Sequence, residues 1–185
     1  RAAYEVDWTG RYQGPCNAVV RPNSVEEVAA VIRICALYDV TLVPQAGNTG
    51  LVGGSVPRPA RSGARSAIVM SLTRLTRLGR VDTAAMQVTA EAGVTLTMWR
   101  ESAHNAGLDT PVDFAARDTA TIGGAIATNA GGSRVLRFGT MRRQVVGIEA
   151  VTAKGAIVGS LDGLPKETAG LHWPSLLAGS EGTLA

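Results

Sequence analysis

The sequence is poor in aromatic side chains, cysteine and histidine. Aromatic residues make up 4% of its 185 residues, and it contains 2 cysteines and 2 histidines. A core of Val, Ile, Leu and Ala is therefore expected. Cys16 and Cys35 have no C-x-x-C spacing, so they indicate neither a metal site nor an oxidising compartment. No apolar run approaches the roughly 20 residues that a membrane-spanning helix needs.

The charged residues form no block of one sign. They make up 18% of the chain, the net charge is +3, and the basic residues are scattered over loops. Because no basic stripe is interleaved with aromatic side chains, the composition does not indicate a nucleic-acid partner. The hydrophobic share of 45% is typical of a globular protein. The length suits one ordinary domain or two small lobes.

Glycine, by contrast, is abundant, with 22 residues, and two stretches are especially rich in it. The first, residues 44–54, reads Pro-Gln-Ala-Gly-Asn-Thr-Gly-Leu-Val-Gly-Gly and follows an apolar run that predicts a buried strand. Glycine lets successive backbone N–H groups face one side, which makes a phosphate or pyrophosphate site without a cationic side chain. The spacing fits neither a Walker loop nor a Rossmann turn. A glycine-rich surface turn between strands is the alternative.

The second stretch, residues 121–132, contains mainly small side chains. Small residues allow a flat, bulky partner to lie against the backbone. Tight packing of a helix on a sheet is the alternative, and it accounts well for Gly123 and Gly124. It accounts poorly for residues 128–132, because a helix accommodates Asn-Ala-Gly-Gly only at its end. If both stretches hold one ligand, residues 45–51 and 123–132 should meet at a shared channel.

Local patterns predict a small βαβ lobe at the start of the chain. Short apolar runs predict parallel strands at residues 18–20, 41–43 and 67–71. Ser24 and Glu27 form a capping box ahead of an amphipathic helix that should end near Asp39. Residues 55–66, rich in Arg, Pro and Gly, are predicted to be a disordered surface excursion. A lobe boundary is expected near Gly79.

The second lobe is predicted to contain strands, one longer helix and a hairpin. The expected elements are a strand at 86–92, a helix at 95–106, a hairpin of 145–153 with 156–160, and a short turn at 174–177. Thr95 is the expected cap of the helix and Gly107 its stop. Pro111 keeps residues 108–114 extended.

Taken in order, several motifs resemble a known family. They are Asp7-Trp8-Thr9-Gly10, Arg21-Pro22, residues 44–54, Pro111-Val112-Asp113, residues 122–132 and residues 179–184. Together they resemble the flavoprotein dehydrogenases of the D-lactate, glycolate and D-2-hydroxyglutarate group, which share the vanillyl-alcohol oxidase (PCMH-type) FAD-binding fold. The resemblance implies an α+β domain over residues 1–185. Its small parallel βαβ lobe would cover about 1–79, and a larger, mostly antiparallel lobe with helices about 80–185.

The resemblance also implies which residues hold FAD between the lobes. The first stretch would wrap the pyrophosphate, the middle segments would line the extended cofactor, and the end of the chain would approach it. The implied cofactor-binding residues are Gln45, Ala46, Gly47, Asn48, Thr49, Gly50, Leu51, Pro111, Asp113, Thr121, Gly123, Gly124, Thr128, Asn129, Gly131, Gly132, Glu181, Gly182 and Thr183.

Two departures from the family pattern affect this site. The usual Gly-Gly pair before Asn is Ala46-Gly47 here, and alanine would cost about 1 kcal/mol if residue 46 needs positive φ. Relatives with covalent flavin use a histidine in the first loop, where this sequence has Asn48 and no histidine. Non-covalent FAD is therefore expected. His104, on a helix tail, is interpreted as a surface group, and His172 is a loop histidine that matches no family motif, so no catalytic or metal-binding residue is assigned.

The implied function is the FAD-binding half of a 2-hydroxy-acid dehydrogenase, which passes hydride from a small 2-hydroxy acid to flavin N5. Substrate-binding, catalytic and metal-binding residues would come from a C-terminal substrate or cap domain after Ala185, so the half alone should be inactive. The alternative is a stand-alone flavin-binding electron-transfer subunit. UDP-sugar reductases and molybdenum-hydroxylase flavin subunits share the fold but lack the motif at 127–132. A cytoplasmic location is expected, with peripheral membrane attachment and oligomerisation left open.

Overall fold

The first sheet has three parallel strands. This computed structural model describes residues 1–58 and 67–185, so most of the predicted excursion at 55–66 lies outside the described residues. The strands are β1 (Ala18–Val20), β2 (Thr41–Gln45) and β3 (Ala67–Ser71). Their order is β1-β3-β2, and Val69 pairs with Val19 on one side and Val43 on the other. The three predicted strands are confirmed, and β2 runs two residues further than expected.

Helix α1 (Val25–Leu37) connects β1 to β2. Ser24 Oγ accepts a hydrogen bond from Glu27 N at 3.3 Å, which caps the first turn. The reciprocal bond of the predicted capping box goes one residue further back, since Glu27 Oε2 accepts from Asn23 N at 2.6 Å. The chain leaves the helix through Asp39, which has φ 55°.

The predicted strand at 86–92 is wrong. Only isolated antiparallel bridges occur there, Leu78 with Ala90 and Asp82 with Gln87. The Asp82 carboxylate accepts the backbone N–H groups of the following turn at 2.9 Å, and Met86 has φ 54°. A residue in the left-handed region interrupts an extended strand, so apolar alternation alone was not sufficient here.

Five helices or strand pairs and two short 3-10 helices make up the other described elements. They are α2 (Leu96–Asn105), α3 (Ile122–Ala127), α4 (Val135–Phe138), the antiparallel pair β4 (Ile148–Val151) and β5 (Ile157–Ser160), α5 (Trp173–Leu177), and 3-10 helices at Ala2–Tyr4 and Met141–Gln144. The cap at Thr95, the stop at Gly107 and the hairpin are confirmed. The short turn predicted at 174–177 is part of helix α5, whose N-cap is His172.

Two hydrophobic clusters form the core. One surrounds the fully buried Val94 and includes Leu96 and Val112. The other joins the α1 residue Val28 to β3 and to Val151 of β4. The second cluster contains residues from both sides of the predicted lobe boundary near Gly79. The two parts of the chain therefore share core packing, and the division into two lobes stays a prediction.

Candidate functional site

The first glycine-rich stretch forms an open loop at the carboxyl end of β2, residues 46–54, called the glycine loop below. Within residues 1–58 and 67–185, no backbone N–H of this loop donates a hydrogen bond. Thr49 is half-buried, and an added Cβ on Gly50 would have no atom of the described residues within 4 Å. Leu51 is 53% exposed. Unpaired amides at an accessible turn favour an anionic ligand.

The side-chain amides of Gln45 and Asn48 form hydrogen bonds that restrain the glycine loop. Gln45 is 4% exposed, and its Nε2 donates to Ser55 O at 2.7 Å and to Tyr4 O at 3.1 Å. Asn48 Nδ2 donates to Val6 O at 2.8 Å, and its Oδ1 accepts from Ser55 Oγ at 2.7 Å. Both side-chain amides are therefore used in hydrogen bonds within the protein. A ligand at the loop would contact backbone N–H groups rather than these amides.

The second glycine-rich stretch begins as helix α3. Thr121 caps it, since its Oγ1 accepts from Gly124 N at 3.3 Å. An added Cβ on Gly123 would lie 2.7 Å from Ala92 Cβ, so the packing alternative explains this glycine. Outside the backbone of its own helix, a Cβ on Gly124 would meet only Thr121 Oγ1 among the described residues, at 3.4 Å, which leaves that position open to a partner.

Asn129 ends helix α3. It has φ 50°, and the next residue, Ala130, donates from its N–H to Ala125 O at 2.8 Å, as at a helix C-terminus that closes through a left-handed residue. Asn129 Oδ1 accepts from Arg142 N at 2.9 Å. Thr128 Oγ1 donates to the helix carbonyl of Gly124 at 3.0 Å. These side chains have structural partners, as Gln45 does.

The segment after α3 packs against the Pro111–Asp113 motif. Gly132 has φ 84°, and an added Cβ would overlap the Asp113 carbonyl, so a close approach requires glycine here. The Asp113 carboxylate lies 3.2 Å from Arg117 Nε, while Pro111 is half-buried. A Cβ on Gly131 would meet the side chain of Val135 at 3.1 Å.

The first glycine-rich stretch packs next to the start of the second. A Cβ on Gly47 would overlap the carbonyl of Thr119, two residues before the second stretch begins. A channel shared by residues 45–51 and 123–132 stays a prediction. Ala46 is not among the described non-glycine residues with positive φ, so the expected cost of alanine does not arise. The end of the chain joins the same place, because Glu181 N donates to Ala127 O at 2.9 Å. Three distant segments therefore converge.

The family follows from comparison with known proteins. The family model described as "FAD binding domain" matches residues 16–160. The chain belongs to this family. FAD is accordingly the cofactor of the domain, and the flavoprotein resemblance is confirmed.

Two curated relatives illustrate the similarity. "D-2-hydroxyglutarate dehydrogenase" of Xanthomonas citri pv. viticola is 41% identical over 98% of this chain and 37% of its own length. "Probable D-2-hydroxyglutarate dehydrogenase, mitochondrial" of Oryza sativa subsp. indica is 36% identical over 97% of this chain and 31% of its own length. The chain thus spans about a third of each of these relatives.

Solved structures support the fold. An alkyldihydroxyacetonephosphate synthase structure superposes with a TM-score of 0.77 over 94% of this chain and 31% of that one, at 24% identity. 6-Hydroxy-D-nicotine oxidase from Arthrobacter nicotinovorans gives 0.69 over 85% of this chain and 33% of that one, at 19% identity. The α+β PCMH-type fold, with its parallel and antiparallel sheets, is therefore confirmed.

A cleft of about 750 Å³ adjoins the glycine loop. Of the expected FAD-binding residues, Glu181, Gly182 and Thr183 line it. Tyr12 also lines it, with its ring against Gly53, where an added Cβ would lie 2.5 Å from Cγ. Sequence patterns did not predict that Tyr12 lies at this cleft, because its contact with Gly53 joins the N-terminal segment to a distant turn.

The donors and acceptors around the loop fit the parts of FAD. The loop supplies N–H groups and no acidic side chain, which suits a pyrophosphate. The Glu181 carboxylate lies 3.6 Å from the place of a Cβ on Gly54, and a carboxylate accepts hydroxyl groups such as those of a ribose or ribityl chain. Which residues touch FAD stays a prediction.

Both histidines have structural partners. His104 Nε2 lies 3.0 Å from Asp109 Oδ1, and His172 Nδ1 lies 2.8 Å from Ser175 Oγ at the start of α5.

The Arg134 guanidinium donates to Asp109 at 2.6 Å and is the main reason that the pKa of this carboxyl lies well below its usual value. Across the described ranges, no three metal-ligating side chains are grouped, and no helix has the length and apolarity to cross a bilayer.

Proposed function

We propose that this chain is the FAD-binding part of a flavin-dependent 2-hydroxy-acid dehydrogenase. The family supplies the cofactor, and the Xanthomonas citri relative, 41% identical, is named for D-2-hydroxyglutarate. Bound FAD would supply the acceptor for the hydride that leaves the α-carbon of the substrate. The residues described above would bind and orient the cofactor.

One observation carries the proposal. The glycine loop, whose N–H groups are unpaired among residues 1–58 and 67–185, lies against Thr119 at Gly47 and near the Glu181 carboxylate at Gly54. Backbone donors fixed before the ligand arrives bind a pyrophosphate without ordering long cationic side chains. We propose that the loop binds the pyrophosphate through main-chain N–H groups.

The remaining site residues enter the proposal in two roles. The side chains of Gln45, Asn48, Thr121, Thr128 and Asn129 would shape the backbone, because they already have partners in the protein. The residues proposed to line FAD, with their main chain where the side chain is already bonded, are Ala46, Gly47, Thr49, Gly50, Leu51, Pro111, Asp113, Thr121, Gly123, Gly124, Thr128, Gly131, Gly132, Glu181, Gly182 and Thr183.

We propose further that FAD is held without a covalent bond. The glycine loop contains no histidine, and the two histidines of the chain lie in α2 and before α5. The substrate-binding and catalytic groups would come from a substrate domain beyond these 185 residues, with a small 2-hydroxy acid as substrate. A cytoplasmic location belongs to the same proposal; it is consistent with the free thiols of Cys16 and Cys35, and cell fractionation tests it.

The test is reconstitution followed by denaturation. The purified protein, incubated with FAD and freed of excess, should show bound flavin absorbance, and acid precipitation should release all of it into the supernatant. Flavin that stays with the pellet would contradict non-covalent binding, and absence of bound flavin would contradict the site. With the full-length protein, reduction of bound flavin by D-2-hydroxyglutarate or D-lactate, and not by their L-isomers, tests the activity.

A further inference from the structure

We infer that Ser55 is a positioning residue that fixes the glycine loop in its FAD-binding shape by acting through Asn48. This inference rests on the proposed function. Ser55 follows the loop directly and was not among the residues expected to contact FAD. Its hydroxyl donates to Asn48 Oδ1 at 2.7 Å, so it joins the end of the loop to a residue near its start.

Asn48 needs such support because of its backbone. It has φ 49°, a left-handed conformation that Asn adopts more readily than most residues with a Cβ because its short side chain can form local hydrogen bonds. Its Nδ2 donates to Val6 O at 2.8 Å, and its Oδ1 accepts from Ser55. With both ends of the amide held, the Asn48 side chain fixes the turn whose neighbouring N–H groups are unpaired among residues 1–58 and 67–185.

Ser55 also holds the beginning of the loop. Its carbonyl accepts from Nε2 of the buried Gln45 at 2.7 Å. The loop has few other internal restraints. Its backbone N–H groups have no partner among residues 1–58 and 67–185, and its carbonyls receive only the longer bonds from Arg11 to Leu51 at 3.3 Å and from Val56 N to Gly53 at 3.4 Å. The shape of the loop therefore depends on the side-chain bonds that meet at Ser55.

The first experiment compares FAD and riboflavin binding, by flavin fluorescence, in wild type, Ser55→Ala and Ser55→Thr. Ser55→Ala should weaken FAD binding about three- to tenfold, the effect of one ordering hydrogen bond. Riboflavin has no pyrophosphate, so its affinity should not change. Ser55→Thr keeps the hydroxyl and should retain FAD affinity. Ser160→Ala removes a hydroxyl that bonds to Asp162 instead, and it should bind both ligands as wild type does.

A double-mutant cycle tests whether Ser55 acts through Asn48. Asn48→Gly removes both side-chain bonds but leaves the left-handed conformation accessible. It should weaken FAD binding and leave riboflavin binding unchanged, and adding Ser55→Ala to it should cause no further loss. If Ser55→Ala does not fold, Asn48→Gly alone still tests the inference, because unchanged FAD affinity in Asn48→Gly would overturn a role that acts through Asn48.

The outcomes separate this inference from the proposed function. Equal losses from Ser55→Ala in both backgrounds, parallel loss of riboflavin, or unchanged FAD affinity in Ser55→Ala would overturn the positioning role while FAD binding by the wild type stands. Failure of the wild type to bind FAD would instead overturn the proposed function.

Discussion

At the scale of single residues, polar side chains near the site mostly tie backbone segments together. Asp109 is an example. Its carboxylate accepts from Arg134 Nη1 at 2.6 Å and lies 3.0 Å from His104 Nε2, and Arg134 also donates to Thr110 O at 2.9 Å. The guanidinium is the largest cause of the lowered pKa of Asp109, with the hydrogen bonds from His104 and the Thr110 N–H adding to it and burial opposing it.

The lowered pKa makes stability depend on pH. The folded pKa of Asp109 lies below the unfolded value of about 3.9. Its stabilisation is therefore complete above that value and is lost as pH falls towards the folded pKa. Asp109→Asn should reduce the free energy of unfolding at pH 7, and its deficit relative to wild type should shrink below about pH 4. The effect should be small, because both partners are partly exposed.

Chemical denaturation at pH 7 and pH 3 measures this difference. Arg134→Gln should reproduce the same change with pH, because it removes the partner that stabilises the charged carboxylate. A deficit of Asp109→Asn that stays constant between the two pH values would contradict the assignment.

At the scale of elements, packing of α2 and α3 around Val94 should dominate the stability of the second part of the chain. Val94 is fully buried in the cluster with Leu96 and Val112. Val94→Ala removes the equivalent of two buried methylene groups and leaves a small cavity. It should lower the free energy of unfolding by about 2 kcal/mol. Val135→Ala, at a position 39% exposed, should cost less than about 0.5 kcal/mol. Equal losses in urea denaturation would contradict this assignment of the core.

Elements with a local cause could be predicted from the sequence. Ser24 and Thr95 begin helices because each supplies a side-chain acceptor to the first turn, and Gly107 ends one because it adopts positive φ. The strand expected at 86–92 failed because the Asp82 turn and the left-handed Met86 override apolar alternation. Such a conformation depends on what the turn packs against, which a single sequence does not contain.

The contact between the glycine loop and Thr119 predicts different effects for two of its glycines. Gly47→Ala would place a Cβ on the Thr119 carbonyl and push the two stretches apart. FAD affinity should fall at least about tenfold, as expected for a clash that costs more than 1.4 kcal/mol at the binding backbone. At Gly50 an added Cβ meets no atom of the described residues within 4 Å and φ is not positive, so Gly50→Ala should leave the free energy of unfolding without ligand unchanged, whereas Gly47→Ala should lower it. Urea denaturation of the two ligand-free variants measures this difference, and equal unfolding free energies would contradict the contact with Thr119.

At the scale of the whole molecule, the candidate site combines segments far apart in sequence. The glycine-rich composition indicated an anion site and the two stretches involved, and the family resemblance supplied their partner segment at 179–184. Neither could reveal that Ser55 restrains Asn48 or that Tyr12 lies on Gly53, because these contacts are long-range consequences of folding. The sequence also did not reveal that some side chains expected at the site, such as that of Gln45, hydrogen-bond within the protein.

Convergence of distant segments also predicts how ligands stabilise the protein. A ligand that binds only the folded state raises the unfolding free energy by RT ln(1 + [L]/Kd), about 2.7 kcal/mol at one hundred times Kd. If the pyrophosphate carries the binding, FAD should raise the melting temperature well above the values with FMN or riboflavin at equal concentration. Thermal unfolding with each ligand measures this order. Salt should reduce the FAD effect only modestly, because backbone amides rather than mobile surface cations hold the anion. Equal stabilisation by riboflavin and FAD would show that the glycine loop does not bind the pyrophosphate.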